Sequence, residues 1–186
     1  MDYYSITWEQ LHDVTHALTE KIKTNKLKPD LIVGIARGGL TIAHISSDFL
    51  RLPVASFTIS SYKDFKQQKM SEISFHVGGD LKDKHILLID DVSDTGKTFI
   101  RGIQYLKDLG ASHITTASPY IKPWTEHVPD IFVKKVEEWI VFPYDMRETV
   151  EAVSKIMKNE TKSPDEIKQK LKSLHISDHF IEQYIQ

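Results

Sequence analysis

Ile86-Leu87-Leu88-Ile89-Asp90-Asp91-Val92-Ser93-Asp94-Thr95-Gly96-Lys97-Thr98 decides how the rest of the chain is read. Residues 86–89 are uninterrupted apolar residues, the pattern of a strand buried on both faces in a parallel sheet. Two adjacent carboxylates, Asp90 and Asp91, close the strand, and Asp94 follows. Thr95-Gly96-Lys97-Thr98 then enters an amphipathic helix with Phe99, Ile103, Leu106 and Leu109 on its apolar stripe and Gly110 as its stop. The amides at such a helix start attract a phosphate. The carboxylates above it suit a diol, a developing positive charge or a metal ion. A phosphorylated sugar held at both ends satisfies both demands.

Two plainer readings of the segment compete. Gly96-Lys97-Thr98 matches the end of a P-loop, whose first glycine would fall at position 91; Asp91 stands there and would repel a triphosphate. The acids could instead be simple helix caps. One cap is enough for a helix, however, and a structural turn gains nothing from so many like charges.

Composition narrows the field. The chain has 186 residues, 27% charged and 40% hydrophobic, which suits one good core plus a small appendage. A formal net charge of -2 gives no electrostatic reason to expect a nucleic-acid partner. Without cysteine, disulfides, thiolate metal sites and a Cys nucleophile are excluded. Neither a leader-like start nor a run long enough to span a bilayer is evident, so the cytoplasm is the expected compartment, with no membrane partner.

Working outward toward the N-terminus, Thr7 and Gln10 form a capping box for a helix carrying Leu11, Val14, Leu18 and Ile22 inward. His12 and His16 in that helix resemble a zinc-protease pair, but they lie off the apolar stripe, where no cleft is expected. A second apolar strand, residues 31–35, ends in Ala36-Arg37-Gly38-Gly39, and residues 40–50 read as a helix. Two glycines admit close backbone approach to an anion, and Arg37 offers a fork of donors. Strand 54–59 runs into Ser60-Ser61-Tyr62 and a polar, lysine-rich run; Ile73, Phe75 and Val77 alternate as a further strand. The run between them reads as a surface loop or a lid.

Beyond the central helix, strand 113–118 leads to Lys122, and residues 131–133 form another short strand. Trp139-Ile140-Val141-Phe142-Pro143-Tyr144-Asp145 is dense in aromatics, which as a rule belong to a core. A helix over 147–158 turns Val150, Val153 and Ile156 or Met157 inward. Ser163-Pro164-Asp165-Glu166 caps the first of two short tail helices. Their stripes, Ile167, Leu171 and Leu174, then Phe180, Ile181, Tyr184 and Ile185, need something to pack on. Strands alternating with helices predict an α/β fold with a mainly parallel sheet. In such sheets ligands sit beyond the carboxyl ends of the strands, where Arg37, Ser61, the 90–98 loop, Lys122 and Trp139 all fall.

Residues 89–98 resemble the phosphoribosyl-diphosphate (PRPP) motif of the type I phosphoribosyltransferases. The Trp139-Ile140 pair with Pro143-Tyr144-Asp145 is similar to the xanthine–guanine and hypoxanthine enzymes. The likeness covers roughly residues 3–145 and implies a type I phosphoribosyltransferase fold, a parallel sheet flanked by helices with a flexible lid loop at Ser61 and Tyr62. The chain divides on this reading into a phosphoribosyltransferase domain at 1–158 and a helical appendage at 159–186. The implied activity is transfer of a phosphoribosyl group from PRPP to a 6-oxopurine, with Mg²⁺ as cofactor, in a homo-oligomer (dimer or tetramer).

The resemblance also implies roles. Thr95, Gly96, Lys97 and Thr98 hold the 5′-phosphate, Asp90 and Asp91 serve the ribose hydroxyls and Mg²⁺, and Arg37, Gly38 and Gly39 take the pyrophosphate. Asp94 accepts the purine proton, Lys122 meets the 6-oxo group, Trp139 stacks on the base, the Ile140 backbone faces position 2, and Asp145 is a second metal-side acid. Ala36 departs from the serine usual in xanthine–guanine members, so that hydroxyl contact is not expected. A regulator that senses PRPP or a nucleotide on the same fold is the rival reading; Asp94 and Trp139, which such proteins tend to lose, favour the enzyme.

Overall fold

A computed structural model describes residues 2–60 and 72–185. In chain order the elements are β1 (Tyr3–Ser5), α1 (Trp8–Thr24), β2 (Leu31–Ala36), α2 (Gly38–Leu50), β3 (Val54–Ser60) and β4 (Glu72–Phe75). They continue with β5 (His85–Ile89), β6 (Val92–Ser93), α3 (Lys97–Asp108), β7 (His113–Ile121), β8 (Ile131–Lys135) and β9 (Trp139–Val141). Helices α4 (Met146–Asn159), α5 (Pro164–Ser173) and α6 (Asp178–Tyr184) close the chain. No helix among the described residues is long and apolar enough to cross a membrane.

The chain forms two compact units, one of Asp13–Lys135 and the other of Met1–His12 with Val136–Gln186. The division drawn from sequence at 158/159 falls inside the second. In the larger unit, strands β3, β2, β5 and β7 lie side by side and parallel, β8 extends the sheet beyond β7, and β4 pairs antiparallel with β3. The expected apolar strands are the central ones: Ile32, Val33, Ile86, Leu87, Leu88 and Ile89 are fully buried. One core cluster joins Val33, Ile35, Phe57, Leu88, Phe99 and Leu106.

The α3 stripe is shifted from its expected position. Leu109 is exposed and Tyr105 is buried in its stead. The Tyr105 hydroxyl accepts from the Val77 N–H at 3.0 Å, so its polar end is satisfied and its ring can be buried. Gly110, at φ +90, ends the helix as expected.

The smaller unit pairs β1 with β9 in parallel, Tyr3 opposite Trp139. Val141, Val150, Val153, Ile167, Leu171, Leu174, Ile176 and Ile181 form its core, with Met157 packed against them. The tail helices thus share one core with β9 and α4. The capping box forms, Glu166 N–H to Ser163 Oγ at 3.3 Å and Ser163 N–H to Glu166 Oε2 at 2.8 Å.

Candidate active site

Because β2, β5 and β7 are parallel neighbours, the loops that follow them leave one edge of the sheet. The acidic turn is more ordered than a loop between strand and helix. Ile89 pairs with Ala117 and Val92 with Tyr120, so β6 continues β5 along β7 in the same register across the acid pair. The Asp90 N–H donates to the Ala117 carbonyl at 3.3 Å within this run. The Lys122 N–H then donates to the Ser93 carbonyl at 3.0 Å, bringing Lys122 to the turn that carries Asp94.

Asp90 is 9% exposed, and its carboxylate accepts from the Asp91 N–H at 3.0 Å and from the Gly39 N–H. Burial first, and the neighbouring Asp91 charge second, push its carboxyl well above the usual carboxylate range, against the pull of both amides. Asp91 is half-buried and the more open of the pair. A Cβ on Gly38 would run into the Asp91 carboxylate, and one on Gly39 would lie 2.5 Å from the Ile89 carbonyl oxygen. The glycines expected to admit an anion are thus demanded first by the acid pair, and the Gly39 amide is already engaged by Asp90. Arg37, exposed, begins α2 after a cis Ala36–Arg37 peptide.

Helix α3 starts at Gly96, which has φ +81 and no side chain to cap the first amides. A Cβ there would meet the His127 backbone nitrogen, so conformation and space both require glycine. Residues 90–96 with Thr98 and Phe99 line a cavity of about 200 Å³. Its lining combines carboxylates with a helix N-terminus, and it can take a small polyol phosphate.

The segment after Lys122, which sequence reasoning passed over, braces this turn. The Glu126 N–H donates to the Thr95 carbonyl at 3.0 Å. Ser93 Oγ donates to the His127 carbonyl at 2.7 Å and lies 2.9 Å from Thr125 Oγ1. His127 Nε2 is 3.2 Å from Thr116 Oγ1, while the Asp130 carboxylate accepts from the Thr116 N–H at 2.7 Å and its hydroxyl at 2.8 Å. Burial lowers the His127 imidazole below its ordinary value, with the Asp130 charge opposing. The Trp124 indole N–H donates to Asp94 Oδ1 at 2.8 Å, and Lys122 Nζ lies 5.6 Å from the centroid of the same ring. A large aromatic residue just past a strand end that carries chemistry was the available signal.

The fold therefore brings together Arg37, Gly38, Gly39, Asp90, Asp91, Asp94, Thr95, Gly96, Lys97, Thr98 and Lys122 in one unit. Trp139, Ile140 and Asp145 belong to the other. There Trp139 is 49% exposed, unlike the buried Phe142, and Asp145 stands at the N-cap position of α4 without a side-chain capping bond. Ser61 and Tyr62 lie outside the described residues. His12 and His16 are exposed, and no group of three metal-capable side chains occurs among the described residues.

Residues 7–151 match the phosphoribosyl transferase domain family. Over 146 residues the chain is 35% identical to the xanthine-guanine phosphoribosyltransferase of Desulfotalea psychrophila, covering 76% of this chain and 86% of that protein. The crystal structure of a purine phosphoribosyltransferase from Pyrococcus horikoshii is similar with a TM-score of 0.70 and 43% identity, over 77% of this chain and 95% of that one. A xanthine-guanine-hypoxanthine phosphoribosyltransferase of Helicobacter pylori, 24% identical, shares the fold with a TM-score of 0.69, over 79% of this chain and 96% of that one.

Proposed function

The chain belongs to the phosphoribosyl transferase domain family, and we infer that it is a purine-salvage enzyme moving the 5-phosphoribosyl group of PRPP to a 6-oxopurine. One observation carries the assignment of its residues: the unbroken register from β5 through β6 puts an acid pair, a helix tip and Lys122 at one sheet edge.

In this reaction the bond from the anomeric carbon to the pyrophosphate oxygen breaks, and a bond to a ring nitrogen of the base forms. Positive charge grows on the sugar between the two events, so the protein must hold, neutralise and shield rather than attack. The α3 start at residues 95–98 anchors the 5′-phosphate through amides and hydroxyls. Asp91 faces the ribose diol, with the buried Asp90 fixing the turn beneath it. Arg37 and the Gly38 amide take the departing pyrophosphate. Asp94 accepts the proton that the base nitrogen loses, and Lys122 donates to the 6-oxo group. Trp139 as stacking partner, Ile140 at position 2, Asp145 as second acid, and Ser61 with Tyr62 as lid enter on family resemblance alone.

Magnesium fits the donor set, since the half-buried Asp91 offers hard carboxylate oxygens beside Asp90, whose carboxyl is raised first by burial and then by the Asp91 charge. Without a larger cage among the described residues, Asp91 would share the ion with substrate oxygens, the usual arrangement for Mg²⁺. When bound, the ion supplies charge neutralisation for pyrophosphate. The cytoplasm and a homo-oligomeric state complete the reading, and the regulatory alternative is not favoured.

The test is a panel of purine and pyrimidine bases with PRPP and Mg²⁺, read as nucleotide formed. Product from 6-oxopurines, lost in excess chelator, is the expected result. Turnover of pyrimidines alone would overturn the base assignment, and activity in chelator would overturn Mg²⁺.

A further inference from the structure

We propose that Trp124 is the positioning residue of the purine end of the site, one indole ring setting the gap between Asp94 and Lys122. This rests on the reading of Asp94 as proton acceptor and Lys122 as donor to the 6-oxo group. The indole N–H donates to Asp94 Oδ1 at 2.8 Å, and Lys122 Nζ sits 5.6 Å from the ring centroid. Indole nitrogen is a donor only, so it engages one carboxylate oxygen without competing for a proton. The second oxygen is then the one turned to the base.

Packing alone does not hold this arrangement. Trp124 is 56% exposed and Asp94 is also exposed, whereas Lys122 is 6% exposed. Order comes from the backbone around the ring. The Thr125 N–H closes a turn onto the Lys122 carbonyl at 3.2 Å, and the Glu126 N–H reaches the Thr95 carbonyl at 3.0 Å. The indole is thereby suspended between two loops, one carrying each functional group. A 6-oxopurine carries a ring nitrogen and its exocyclic oxygen along one edge, and a fixed acceptor–donor gap selects for that edge.

A double-mutant cycle tests this. Trp124→Phe keeps a ring over Lys122 and deletes the donor; Trp124→His keeps a ring N–H. Trp124→Phe is expected to lower kcat with a 6-oxopurine by about 10- to 100-fold, the scale of a small misplacement, at unchanged KM for PRPP. Trp124→His should recover part of the loss. In an Asp94→Asn background, Trp124→Phe should lower kcat no further. A Trp124→Phe enzyme within about twofold of the parent, full additivity in the cycle, or a loss that tracks a fall in Tm overturns the proposal. Normal turnover by Asp94→Asn overturns the underlying reading and the proposal with it. A large loss there beside an inert Trp124→Phe overturns the proposal alone.

Discussion

In the proposed reaction Asp94 and Lys122 are the residues whose chemistry is used most directly. Asp94→Asn keeps the shape and the acceptor for Trp124 but cannot take a proton. Its turnover should fall by about two to four orders of magnitude with PRPP binding nearly intact, measured by steady-state kinetics beside PRPP titration. Lys122→Ala should weaken 6-oxopurines selectively; an equal loss with adenine would contradict its role. His127 makes a prediction of a different kind. Its imidazole titrates lower in the folded chain than the ordinary 6.5, chiefly through burial, so between those values the unfolded state binds a proton that the folded state does not. The contribution to stability is complete above 6.5 and is lost as pH falls toward the folded value. His85, lowered by burial and then by the His113 charge, has the same sign. His127→Gln should therefore shrink the fall in denaturant midpoint between about pH 7.5 and about pH 5.5.

Among the elements, the contact between the start of α2 and the β5–β6 run carries the geometry. Gly39 lies against the Ile89 carbonyl of a fully buried strand end, and a methyl group there would stand 2.5 Å from that oxygen. The strand cannot yield without breaking its pairing with β2 and β7. Gly39→Ala should cost about 1–3 kcal/mol, as overpacking does, and should weaken PRPP binding as well, read by thermal unfolding and ligand titration. Helix α3 shows how local pattern and packing diverge. Spacing alone put Leu109 inward, but the helix ends at Gly110 and turns Tyr105 to the core, where its hydroxyl has partners.

For the whole molecule, each compact unit has its own apolar core, and the tail belongs to the smaller one. Leu171, fully buried there, should cost about 2–5 kcal/mol when cut to alanine, seen as a lower Tm with faster proteolysis of residues 160–185. The longer strands of the main sheet, several helix starts, the parallel architecture and the acid–threonine loop could be read from the chain itself, because apolar periodicity, caps and turn residues act over a few neighbours; the short strands β1, β6 and β9 could not. Periodicity could not reveal that β6 carries the β5 register past Asp90, that Asp90 is buried against the Gly39 amide, or that Trp124 joins Asp94 to Lys122. Those facts depend on partners far along the chain, whose meeting is settled by sheet order and register. Short-range forces thus wrote the elements and the candidate chemistry into the sequence, while the spacing between groups that must act together was decided only when distant strands paired.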